Sequence, residues 1–135
     1  ELGRVDVDEA VENCSSADEF FHIMKKWVSS FAGSDGELRR RFRIEVLGSA
    51  ISRESLQEKL REANRRQAED LGALLSTAQE RQWLAIDVKP QDLAMWWTGL
   101  VMSRYLVEMD HEYHDTAAWD AITINTMRSI IRTDF

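Results

Sequence analysis

Two Glu-x-x-His pairs stand in the 135-residue chain, Glu19 with His22 and Glu108 with His111. On a helix this spacing sends both side chains off one face, and di-iron helical bundles use it to hold a shared metal. Helical register disfavours that chemistry here. His22 lies almost opposite the apolar row Phe20, Met24, Trp27 and Phe31, and His111 falls at or past a helix end. The run Asp110-His111-Glu112-Tyr113-His114-Asp115 has enough nitrogen and oxygen donors for zinc or nickel. A polar loop between helices has the same composition and is the preferred reading. No Ser/His/Asp spacing, glycine-rich phosphate loop or nucleophile elbow occurs. Cys14 has no basic neighbour to activate it. The expectation is a protein without catalysis, metal or cofactor.

Binding is a better use of the informative residues. Trp27, Trp96, Trp97 and Trp119 are the heaviest apolar groups, and each either packs a core or dimer contact or walls a pocket. Gln67 interrupts an apolar helical row between Ala63 and Leu71. A buried amide without a partner costs roughly 1–3 kcal/mol, so a ligand, a cavity water or a backbone group should meet it. Arg104 is the only charged residue between Leu93 and Val107. It pairs with Glu108 one turn on, crosses a dimer, or meets an acidic ligand, and the Glu108 pair is favoured. The expected pocket joins Trp27, Phe42, Gln67, Trp97 and Tyr105, with the tyrosine hydroxyl at one end.

Helices must position these groups. One proline and six glycines are too few for the turns of a sandwich or barrel. The fold class expected is all-α, a bundle of about five main helices. Ser16 and Glu19 form a capping box that opens the first, to Ala32. Gly33-Ser34-Asp35-Gly36 ends it. A second helix spans Glu37 to Ile51, with Leu38, Phe42, Val46 and Ala50 on one face and Ile44, Leu47 and Ile51 on another. Ser52 caps a long third helix to Gln82, striped by Leu56, Leu60, Ala63, Leu71, Leu74 and Ala78. Pro90 suits the first position of a fourth helix, to Met109. The fifth runs from Thr116 to Arg132. The fourth helix is apolar in nearly every direction, which a chain of this size can hardly cover alone. A homodimer through Trp96, Leu100, Trp119, Ile122, Thr126 and Ile130 is the economical expectation.

The net charge is −7, from 17 basic and 24 acidic residues, which argues against nucleic-acid binding by this chain. Arg39, Arg40, Arg41 and Arg43 form a local basic run, of the kind that is usually a solvated helix face. A single cysteine excludes an intrachain disulfide and allows a reducing, cytoplasmic compartment. No apolar run is long enough for a membrane span, and no signal-peptide pattern is present. Residues 1–15 read as an acidic lead-in or a short helix, and 16–135 as one domain. A first residue Glu1 in place of methionine suggests a fragment or a processed product.

From Arg39 to the C-terminus the chain resembles the C-terminal domain of TetR-family transcriptional regulators. Arg39-Arg40-Arg41-Phe42-Arg43-Ile44-Glu45-Val46-Leu47 is similar to the family's helix after its linker. The stretch Leu60-Arg61-Glu62-Ala63-Asn64-Arg65-Arg66-Gln67-Ala68-Glu69-Asp70-Leu71 is similar to its long outer helix. Ala78-Gln79-Glu80-Arg81-Gln82-Trp83-Leu84, then Asp87-Val88-Lys89-Pro90, resembles its connector, with Gln82 or Trp83 where the family has glycine and Lys89 where it has aspartate. The resemblance implies a small, largely apolar effector in a bundle cavity and a dimer made by the last two long helices. It also implies DNA reading by an N-terminal helix-turn-helix. Residues 1–15 are too short and too acidic to supply one.

Overall fold

Ser16 Oγ accepts the backbone N–H of Glu19 at 3.2 Å, while the Glu19 carboxylate reaches back to the N–H of Ser15 at 2.8 Å. This capping box, shifted by one residue on its return bond, opens α1 (Ala17–Ala32) in a computed structural model that describes residues 9–32 and 36–132. Four more main helices follow: α2 (Glu37–Ala50), α3 (Glu54–Glu80), α4 (Pro90–Glu108) and α5 (Thr116–Ile130). Among the described residues there is no strand, and one isolated bridge joins Leu84 to Ile131. The architecture is the expected all-α bundle. Gly33, Ser34 and Asp35 of the expected turn, the Phe31 side chain and residues 1–8 lie outside the described residues.

Helix ends follow local chemistry. Pro90 stands at the start of α4 as expected. Asp115 caps α5 by accepting the Ala117 N–H at 2.9 Å. The expected Ser52 cap is not used: Arg53 occupies the N-cap of α3 with no side-chain bond, and Ser52 belongs to the preceding turn. α3 ends in a Schellman motif. Trp83 N–H bonds Ala78 C=O at 2.9 Å and Gln82 N–H bonds Gln79 C=O at 2.9 Å. Closing that motif puts Gln82 at φ 62°, the left-handed region. It is one of the two positions where the resemblance has glycine.

The core forms where α1 meets α4 and α5 and where α3 pairs closely with α4. Phe20, Phe21, Met24 and Val28 of α1 pack with Leu71, Leu74, Leu75 and Ala78 of α3, Leu93, Ala94 and Trp97 of α4, and Met127, Ile130 and Ile131. Gly72 permits the α3–α4 approach, since a Cβ there would stand 3.0 Å from Gln91 Cγ and 3.3 Å from its Cα. The lead-in contributes as well: residues 9–12 form a helical turn, and Val11 and Cys14 are buried. Arg81 fastens this turn by donating to the carbonyls of Val11 and Cys14 at 3.2 and 3.1 Å.

Several stripes are rotated from their expected positions. On α2, Leu38 and Phe42 face outward, while Arg40 and Ala50 are buried. On α3 the buried positions run from Ala68 to Ala78, and Ala63 is exposed. On α5 the buried row is Thr123, Met127 and Ile130, with Ile122 outside it.

Candidate functional site

Four charged side chains from three helices form a chain through the bundle. Arg104 on α4 donates from Nε and Nη2 to the two carboxylate oxygens of Asp120 on α5, at 2.9 and 3.2 Å. Its Nη1 donates to Glu108, one turn along α4, at 2.6 Å. Glu108 also receives Arg40 from α2, through Nε at 3.3 Å and through Nη2. The Arg40 and Glu108 side chains are 4 and 5% exposed, whereas that of Asp120 is 45% exposed. Two cations and two anions sum to no net charge, which allows such a group to be buried at all. The bonds to Asp120 and Glu108 outweigh burial and raise the Arg104 pKa further, so the guanidinium stays charged.

Beside Arg104 lies a cleft of about 120 Å3 between α1, α4 and α5. Val28 and Ser29 line it from α1, Arg104 from α4, and Trp119, Asp120, Thr123 and Ile124 from α5. The Arg104 guanidinium sits 5.9 Å from the centre of the Trp119 ring, within cation–π reach. Thr123 is buried, and its hydroxyl donates to the Trp119 carbonyl at 3.0 Å.

The five residues expected around one pocket occupy different surroundings. Trp97 is buried in the core and Trp27 packs against it. Phe42 is 63% exposed, so it stands on the outer side of α2 and not on the inner wall expected for it. Gln67 is half-buried and bridges helices: its Nε2 donates to Thr98 Oγ1 of α4 at 3.3 Å, and its Oε1 accepts from Arg43 Nη2 of α2. Side chains of α2 and α4 thus meet both ends of this amide. Tyr105 is half-buried on α4. None of the five is among the residues lining the cleft. One polar atom nonetheless stands out: Trp97 Nε1 is buried and, among the described residues, without a hydrogen-bond partner.

Comparison with protein-family models, curated proteins and solved structures finds no match for this chain.

The residues expected at a dimer contact divide similarly. Trp96 on α4 is 46% exposed and Ile122 on α5 is 66% exposed. Leu100, Trp119 and Thr126 are half-buried. Ile130 belongs to the chain's own core and offers little to a partner, because α5 turns Met127 and Ile130 inward together. The Glu19–His22 and Glu108–His111 pairs do different work: Glu19 caps α1, and Glu108 holds two arginines. Among the described residues no three His, Cys, Asp or Glu side chains group so that they could hold a metal ion.

Arg40 as a partner of Glu108 and Asp120 as a partner of Arg104 were not legible in the sequence. The basic run at Arg39–Arg43 hid the fact that Arg40 shares the helical register of Ile44 and Leu47, and hence points where an apolar residue would.

Proposed function

We propose that the chain is a dimer-forming, effector-sensing regulatory domain of a TetR-like transcriptional regulator, acting in the cytoplasm without catalysis. The observation that carries this reading is the outer face of α4. Trp96, Gly99, Ser103 and Leu106 recur at helical spacing, and Trp96 and Leu106 are 46 and 67% exposed. An exposed tryptophan and leucine flanking two small residues suit close packing of a second helix. Ile122 supplies an apolar group on α5. A second copy meeting these faces would bury roughly 1,600 Å2 in a standard interface. Among the described residues no helix is long and apolar enough to cross a membrane. With a net charge of −7, DNA reading falls to a helix-turn-helix domain of the parent regulator, outside this chain.

The charged chain supplies a path for the signal. Arg40 ties α2 to Glu108, and Arg104 ties Glu108 to α5. An effector that binds one arrangement of α5 and α4 better than another shifts α2 with them. Sedimentation velocity at micromolar concentration tests the dimer, with Trp96→Glu as the companion variant. A dimeric wild type and a folded monomeric variant are expected. A monomeric wild type overturns the reading.

The size of the cleft favours a second reading, a helical interaction module that dimerises without a small-molecule ligand. Typical ligand pockets hold about 300 Å3 or more, against about 120 Å3 here. A ligand adduct retained in native mass spectrometry separates the two.

A further inference from the structure

We propose that the cleft between α1, α4 and α5 is the effector site, and that it takes a benzene-sized neutral molecule bearing one hydrogen-bond acceptor, received by Arg104. The inference deepens the effector-sensing reading and rests on it for its purpose. Binding itself is measurable whether or not the chain dimerises.

Size comes first. An apolar cavity of about 150 Å3 holds benzene, and this cleft is about 120 Å3 and open to solvent on one side, where Asp120 is half-exposed. Val28, Ile124 and the Trp119 ring offer an apolar wall that suits a ring or short branched chain. Chemistry comes next. A guanidinium carries five N–H donors. Asp120 takes Nε–H and one Nη2–H, and Glu108 takes one Nη1–H, which leaves, among the described residues, one N–H on each Nη. Arg104 is buried, so these hydrogens have little access to bulk water, and an acceptor brought in by a ligand gains a charge-assisted bond.

Charge then selects the ligand. Arg40, Arg104, Glu108 and Asp120 are already balanced. A carboxylate entering the cleft would either leave an excess negative charge beside two covered carboxylate–arginine pairs or have to displace Asp120, which holds both of its bonds from within the same chain. A ketone, ester or amide carbonyl meets neither cost. Binding against Arg104 also engages Glu108 and, through it, Arg40 of α2, so the site adjoins the path along which a response would travel.

The test is a set of three NMR titrations of the whole chain with acetophenone, ethylbenzene and benzoate, following the Trp119 indole N–H and the Arg104 Nε–H. These probes share a ring and differ in the acceptor and its charge. Saturable shifts at both groups with acetophenone are expected, at about tenfold higher affinity than with ethylbenzene or benzoate. Ser29→Leu, at an exposed rim position, should abolish the response while the circular dichroism stays helical. No saturable shift with any probe removes the site, even in a chain that sediments as a dimer. Equal binding of ethylbenzene removes the role of Arg104, and tighter binding of benzoate overturns the assignment of a neutral ligand.

Discussion

Arg40 of α2 and Glu108 of α4 form an ion pair in which both side chains are sealed from water, at 4 and 5% exposure. Arg104 meets the same carboxylate from one turn away. A single glutamate thus answers for two cations from two helices.

Removing that glutamate should be costly. Glu108→Gln takes away the charge that both guanidiniums share, and losing one partner of a buried pair costs about 3–5 kcal/mol. Asp120→Asn acts on a half-exposed carboxylate and should cost about 1 kcal/mol or less. Urea unfolding of the two variants checks the order. Equal losses would show that burial does not set the strength of this network.

Two glycines should respond to alanine with opposite signs. Gly48, at an exposed position of α2, has nothing within 4 Å of an added Cβ. Gly48→Ala should gain about 0.5–1 kcal/mol from helix propensity. Gly72→Ala has the same gain available, but its Cβ would meet the Gln91 backbone Cα at 3.3 Å. Separating α3 from α4 should cost about 1–3 kcal/mol and win. Thermal melts of both variants decide it, and stabilisation by Gly72→Ala would show that the α3–α4 contact gives way easily.

Gln82 pays a left-handed penalty at φ 62° to close the Schellman motif. Gln82→Gly should keep both capping bonds and raise stability by about 0.5–1 kcal/mol, the relieved left-handed cost of about 1–2 kcal/mol less the extra chain entropy that glycine loses on folding. A melting temperature unchanged or lowered by this substitution would mean that the Gln82 side chain contributes more than its backbone costs.

Burial, reinforced by the Glu19 carboxylate and opposed by Arg81, holds the Cys14 thiol above its ordinary pKa. The folded state therefore binds the thiol proton more tightly than the unfolded chain does. That contribution is complete below the unfolded thiol pKa of about 8.5 and is lost as pH rises from there through the raised native value. Wild-type stability should fall more steeply between pH 8 and about 10 than that of Cys14→Ala. Parallel slopes in denaturant titrations would remove Cys14 as the source.

Helix number, order and approximate ends were legible in the sequence because they follow from local chemistry. Pro90 opens α4, Ser16 and Glu19 cap α1, and the 3.6-residue period of apolar groups marks each helix. The Arg104–Glu108 pair was legible for the same reason, since i,i+4 neighbours meet on any helix. What tertiary structure decided was the rotation of each helix about its axis. An apolar row spans a wide arc, and only the neighbours select which part of it is covered, so Phe42 turned out and Arg40 turned in. Gln67 found Arg43 and Thr98, and Arg104 found Asp120, across gaps in sequence that periodicity does not measure. A periodic pattern reports that a side chain lies on a face. Which partner stands opposite depends on how three helices pack at once, and the charged chain and its cleft exist only at that level.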